Sequence, residues 1–273
     1  MSKLQKALYE EMAKFPIISP HGHVDAKLLA ENENWSDAVE LLIKPDHYIT
    51  RMLYSQGISY EELKKPSIDI WRIFCANWKL FAGTPSSLWL REILDSLFDI
   101  EDLSEISPDK SFAKINERLA SAEFKPIALF KRFNIEVLAT TDATNDDLIS
   151  HKKISNMGLS GRVIPTFRPD DITDPARSDF RVSLTKLGAT TFKELLAKLR
   201  ERRAYFQSHG ATATDHGIKS PQTLKYSESE KEQLFKDVLA GNRYEEFRAV
   251  MLYEHALMSA EDGLVMQLHP GSY

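Results

Sequence analysis

Residues 19–25, SPHGHVD, put His21 and His23 on either side of Gly22, directly after the apolar run FPII. In an extended chain, residues i and i+2 project to the same side. Two imidazoles so spaced, about 6–7 Å apart along a strand, can converge on one divalent cation, and Gly22 permits close backbone approach. A pair of surface histidines in a loop would carry the same sequence. Neutral imidazole suits zinc, manganese or iron equally. Arg168, in PTFRPD, is the best anion-binding candidate, because a guanidinium can grip a carboxylate with two parallel hydrogen bonds. Its competing reading is a salt bridge to Asp170 or Asp142. Asp142 and Asp215 could orient histidines as acceptors or cap the helices that follow.

These residues must be positioned by secondary structure, and the pattern is one of alternating strands and helices. Extended segments are expected at 17–19, 135–140, 162–167, 211–216 and 264–269. The first 15 residues predict an amphipathic helix, with Leu4, Leu8, Met12 and Phe15 near helical spacing. Between Asp25 and Phe98 the chain reads as helical: WSDAVELLIK with Ser36 or Asp37 as N-cap, DHYITRMLYSQG, SIDIWRIFCANWKLFAG, and TPSSLWLREILDSLF with Thr84 as cap and Pro85 in its first turn. Later helices are expected in SFAKINERLASAEF, KPIALFKRFN, NDDLISHKKISNMG, TFKELLAKLRERRAYFQSHG, SESEKEQLFKDVLAGN and RYEEFRAVMLYEHALMSAEDG. Strands separated by helices predict an α/β fold with a parallel sheet.

Such sheets carry their chemistry at the carboxyl ends of strands. Polar or ionisable groups close all five candidates: His21 and His23; Thr140, Thr141 and Asp142; Thr166, Arg168 and Asp170; Asp215 and His216; Gln267 and His269. Four of the eight histidines thus fall at strand ends. The others, His47, His151, His209 and His255, sit on helices or their ends, where a packed histidine is the simpler reading. His47 is less clear because of its neighbour Tyr48. Trp71, Trp78 and Trp89, with Phe74 and Phe81, read as helix-face core, and Cys75 as packing.

The 273-residue chain carries a formal charge of −5 and one cysteine. The charge and the lack of a basic stripe argue against a nucleic-acid binder, and the lone cysteine precludes an internal disulfide. No membrane span or secretory leader is legible, so the expectation is a soluble cytoplasmic protein. There is no GxGxxG after a strand, no P-loop and no GxSxG elbow.

PHGHVD, DHYITRML, FAGTPSSLWL, LATTDAT, VIPTFRPD, TDHG and MQLHPG, in that order, resemble the uronate isomerases (glucuronate isomerase), a family of the amidohydrolase superfamily. The resemblance implies a metal-dependent (β/α)8 TIM barrel, here in part, with about five βα units and a helical insertion after strand one. The expected organisation is 1–25 for the first helix and strand, 26–130 for the helical insertion, and 131–273 for the remaining βα units. It implies interconversion of D-glucuronate or D-galacturonate with D-fructuronate or D-tagaturonate.

By the family pattern, His21 and His23 would be metal ligands, His269 would act at the metal or substrate as a catalytic residue, and Arg168, Tyr48 and His216 would hold substrate, with Tyr48 also catalytic. TDHG shows no strand-four lysine, which fits one loosely held divalent metal, with zinc expected. The partner is then a small hexuronate, with no nucleic acid or membrane, and a homo-oligomer is the expected assembly. The family continues past the strand-five histidine to a strand-eight aspartate. The chain is therefore expected to be a fragment, or to receive its missing strands from another chain. A metal-dependent hydrolase of the same superfamily and an inactive fragment are the alternatives.

Overall fold

The computed structural model describes residues 2–271. All strand pairings among them are parallel. β1 (Ile17–Ser19) pairs with β2 (Ile135–Ala139), which continues after a break as β3 (Asp142–Ala143). β2 pairs with β4 (Arg162–Ile164) and β3 with β5 (Phe167–Arg168). β5 pairs with β6 (Ala213–Ile218), and β6 with β7 (Val265–Pro270) over six residue pairs. The result is a three-stranded sheet, β1-β2-β4, and a four-stranded one, β3-β5-β6-β7. This is the α/β architecture with parallel strands.

The third expected strand, 162–167, is interrupted at Pro165 and Thr166. Proline has no N–H to give a ladder. The register is carried across the gap by the amides of Thr140 and Asp142, which donate to the carbonyls of Ile164 and Thr166 at 3.0 Å each. Residues 213–216 of β6 are all buried, as expected of a strand covered on both faces.

The chain divides into two compact units, Met1–Glu31 with Phe133–Tyr273, and Asn32–Arg132. Helix Ala26–Glu31 packs on helix Ile149–Ser155 within the first unit. That unit's core joins the strands to helices Phe180–Leu187, Phe192–Ser208, Glu228–Leu239 and Tyr244–Asp262 through Phe167, Phe192, Phe206, Phe235, Phe247 and Val250. Helices Phe192–Ser208 and Glu228–Leu239 each open on a reciprocal capping box, Thr191 with Glu194 and Ser227 with Glu230.

The second unit is helical around Trp71, Phe74, Phe81, Phe98 and Ile115. Helix Pro85–Phe98 is capped by Thr84, whose hydroxyl accepts from the Ser87 amide. Asp37, not Ser36, caps helix Ala38–Leu42. Trp71 and Trp78 are core, whereas Trp89 is exposed on the outer side of its helix, a correction to its reading as core. The N-terminal helix Lys3–Met12 forms with Ser2 as cap, but its apolar stripe is uncovered among the described residues: Leu4, Leu8 and Met12 are all exposed. No helix of the described residues is long and apolar enough to cross a membrane.

Candidate functional site

His21 and His23 lie not on β1 but in the irregular segment that follows it. The segment is held from several sides. Thr141 Oγ1 donates to the Gly22 carbonyl at 2.7 Å, and Gln267 Nε2 donates to the Pro20 carbonyl at 3.1 Å. A Cβ at Gly22 would sit 3.2 Å from the Ala139 carbonyl oxygen, so a glycine is what lets this turn press against β2. Held in this way, the two imidazoles face each other edge to face, with ring centroids 5.0 Å apart.

His269, from β7, joins them at 5.1 Å from His21 and 5.6 Å from His23. Each ring offers one nitrogen within 4.8 Å of the other two. His21 Nδ1 is hydrogen bonded to Gln267 Oε1 at 3.0 Å. An amide oxygen only accepts, so the proton sits on Nδ1 and Nε2 keeps its lone pair. Burial, reinforced by Arg168 and the two neighbouring imidazoles, lowers the pKa of His23. A lowered pKa keeps that ring neutral at neutral pH, the state a ligand needs. The donor set therefore fits a divalent cation.

Arg168 stands beside this cluster. Its Nη1 lies 3.4 Å from Asp215 Oδ2, and His269 Nδ1 lies 3.6 Å from the same oxygen. Asp215 is fully buried and makes no hydrogen bond of ordinary geometry through either oxygen, so its charge is compensated by these two cationic or polar neighbours. Arg168 Nε donates to Asp170 at 2.7 Å. Asp142 is not a partner of Arg168. It accepts from the Thr140 hydroxyl at 2.7 Å and from the Thr166 amide at 3.3 Å. Arg168 and His269 line one cavity of about 280 Å³, together with Arg177, Arg248, His216 and His255.

His216 does not converge on the three-histidine cluster. It is the strand neighbour of Asp215 and so points to the opposite face. There its Nε2 bonds Thr214 Oγ1 at 2.9 Å and its ring packs on His255 at 4.8 Å. Burial lowers its pKa to about 4. Tyr48 belongs to the second unit. It lies in helix His47–Ser55, capped by Asp46, with its ring 4.2 Å from that of His47 and half its surface exposed.

Two groups stand out that sequence reasoning did not single out. Gln267 was noted only as a polar strand-end residue; its amide holds both Pro20 and His21, contacts 247 and 246 residues away in sequence. His151, read as a packed histidine, bonds the Thr140 hydroxyl through Nε2 at 2.8 Å, the same hydroxyl that reaches Asp142. No local pattern announces either.

Burial pushes the Asp142 carboxyl up to about 6, helped by Asp146 and Asp25 and opposed by its two hydrogen bonds. In the unfolded chain the same group releases its proton near pH 3.9. Between those values the folded state binds more protons, so this group's contribution to stability falls as pH rises and is fully unfavourable above about 6. Asp142→Asn keeps an acceptor for both hydrogen bonds and removes the charge. It is expected to exceed wild type in stability by about 2–3 kcal/mol at pH 7.5, with the gap closing by pH 4. Urea unfolding at both pH values measures this, and equal stability at both would show that Asp142 ionises without cost.

The sequence model for glucuronate isomerase matches residues 1–273. The uronate isomerase of Rhizobium meliloti (strain 1021) is 44% identical over 291 residues, covering 99% of this chain and 62% of that protein. The uronate isomerase of Rhizorhabdus wittichii is 45% identical over 283 residues, covering 98% and 61%. Among solved structures, the glucuronate isomerase of Caulobacter crescentus superposes with a TM-score of 0.91 at 39% identity, over 98% of this chain and 60% of that one. The uronate isomerase of Thermotoga maritima gives 0.91 at 25% identity, over 99% and 63%. The chain thus spans about 62% of the length of the first of these relatives. With the family's sequence pattern running the whole length of the chain and the histidine cluster and Arg168 assembled in one unit, the chain belongs to the glucuronate isomerase family, within the amidohydrolase superfamily.

Proposed function

We propose that this chain carries the substrate-gripping and cation-holding half of an aldose–ketose isomerase site for hexuronates such as D-glucuronate or D-galacturonate. The observation that carries this reading is Asp215, one buried carboxylate oxygen within 4 Å of both Arg168 and His269. It ties an anion receptor to the histidine cluster. The family membership and the names of the relatives point the same way.

His21 and His23 would hold one divalent cation, with zinc the expected metal, and His269 offers a third donor in the same cluster. When bound, the cation would stabilise negative charge on the sugar oxygens at C1 and C2. Arg168 receives the uronate carboxylate and so fixes which end of the sugar meets the histidines. Isomerisation moves a proton between C2 and C1, and a side chain must take and return it on one face of the carbon chain. We assign His269 to this work, because its ring stands beside the His21–His23 pair and within 4 Å of the same buried Asp215 oxygen as Arg168, with no hydrogen-bond partner at its Nδ1 among the described residues. His216 forms buried wall of the cavity that takes substrate. The role of Tyr48 rests on its place in DHYITRML. The five parallel βα segments, paired in chain order, are read as part of a (β/α)8 barrel. A superfamily hydrolase is the less favoured reading, since the relatives named above are isomerases.

Incubation of the purified chain with D-glucuronate and zinc, followed by ketose detection and by calorimetric titration, tests the reading. Uronate binding is the expected result for half a site, with or without ketose. A uronate neither bound nor converted, or a lactone hydrolysed with no ketose, would sink it.

A further inference from the structure

The question left by the site is what aims Arg168. An arginine side chain has four rotatable bonds, and a receptor for a carboxylate works only if the guanidinium plane is set before the ligand arrives. The Asp170 carboxylate is bound at both ends. Its Oδ2 accepts from Arg168 Nε at 2.7 Å, and its Oδ1 accepts from the backbone amide of Gly217 at 2.9 Å. The second contact anchors the first to β6, the strand that also carries Asp215. Gly217 takes part sterically as well. A Cβ built there would lie 2.5 Å from Asp170 Oδ2 and 3.2 Å from its Cγ, so any larger residue must drive the carboxylate out of its seat.

We propose that Asp170 is the positioning residue for Arg168, and that Gly217 is the matching socket whose missing side chain makes room for it. The proposal rests on the reading of Arg168 as the uronate receptor and goes one step behind it. With Nε committed to Asp170 and Nη1 drawn toward Asp215, the guanidinium presents its remaining Nη protons as the free edge. Asp170 touches Arg168 and β6 and also lines the cavity, and the part assigned to it is to aim the guanidinium.

Electrostatics alone predict the opposite sign. A second carboxylate beside Arg168 repels an incoming uronate, so neutralising it would tighten binding. If positioning dominates, removing Asp170 weakens binding in spite of the lost repulsion.

The test uses the full chain in three variants, Asp170→Ala, Asp170→Asn and Gly217→Ala, with two readouts. The first is the Arg168 Nε–H signal in nitrogen-resolved NMR, assigned by its loss in Arg168→Met. The second is calorimetric affinity for D-glucuronate against D-glucose, whose ratio a general loss of stability does not move. Asp170→Ala and Gly217→Ala are expected to shift or broaden the signal and lower the uronate preference roughly tenfold. Asp170→Asn keeps only one of the two acceptor contacts with Arg168 and Gly217, and should lose roughly threefold. It is also the milder variant should either of the others fail to fold.

An unchanged Nε–H signal in Asp170→Asn and in Gly217→Ala overturns the proposal. So does a uronate preference that rises when Asp170 is neutralised. A signal that moves as expected in a chain with no preference for the uronate upholds the clamp and removes instead the reading of Arg168 as carboxylate receptor.

Discussion

Arg168→Met is expected to weaken D-glucuronate binding about 100-fold and to leave D-glucose binding within about twofold of wild type. The size follows from losing two charge-assisted hydrogen bonds to a carboxylate, each contributing about 1.5–3 kcal/mol and only partly additive. The selectivity follows from the chemistry, since a neutral hexose gives Arg168 no charge to hold. The substitution also strips Asp215 and Asp170 of the cation they share. A fully buried carboxylate left with only His269 nearby should cost a few kcal/mol of stability. Arg168→Lys separates the two effects. It retains the charge that Asp215 requires but lacks the planar fork, so it should recover most of the stability and only part of the selectivity. Isothermal titration with both sugars, alongside thermal unfolding, measures the two affinities and the stability. An equal loss for uronate and hexose would make Arg168 a structural ion-pair partner and nothing more.

The second large effect concerns the cation. His21→Ala and His23→Ala should each lower zinc affinity by at least about 100-fold. Removing one donor from a small ligand set exceeds the 10–100-fold typical of losing an outer-shell partner. His269→Ala is expected to lose less than either, in keeping with its assignment to the substrate. Competition against a chromophoric chelator gives the affinities, and elemental analysis of dialysed protein gives the content. Equal zinc in wild type, His21→Ala and His23→Ala would show that the three rings are a packed cluster without a metal role.

Much of the scaffold was legible because its signals are local. Thr84-Pro85 announces a helix start through adjacent residues and forms as expected, and Thr191 with Glu194 and Ser227 with Glu230 close capping boxes over three positions. Helix Phe180–Leu187 was overlooked, although Phe180, Leu184 and Leu187 carry the core-facing spacing and are buried; a run of Asp, Pro, Arg and Ser before it masks the pattern. Trp89 shows the converse. Its helix was correctly placed, but a hydrophobic side chain can stand on the outer face of a helix, and composition does not say which face a neighbour will cover.

The types of the site residues were written in the chain: paired imidazoles around a glycine, a guanidinium two residues before an aspartate, and a histidine closing the last strand. A run of residues sets its own backbone preferences, and that is why these positions were expected at strand ends. Their partnerships came from elsewhere. Arg168 had Asp170 and Asp142 as candidate neighbours; folding gave it Asp170 and Asp215 and turned Asp142 toward Thr140. His269 and Gln267 meet His21 across nearly the whole length of the chain. His216 and Asp215 are adjacent in sequence, yet of the two only Asp215 pairs with Arg168, because successive residues of a strand point to opposite sides. Which groups touch depends on strand register and on the packing of distant segments, and those are properties of the folded molecule that no short stretch of sequence contains.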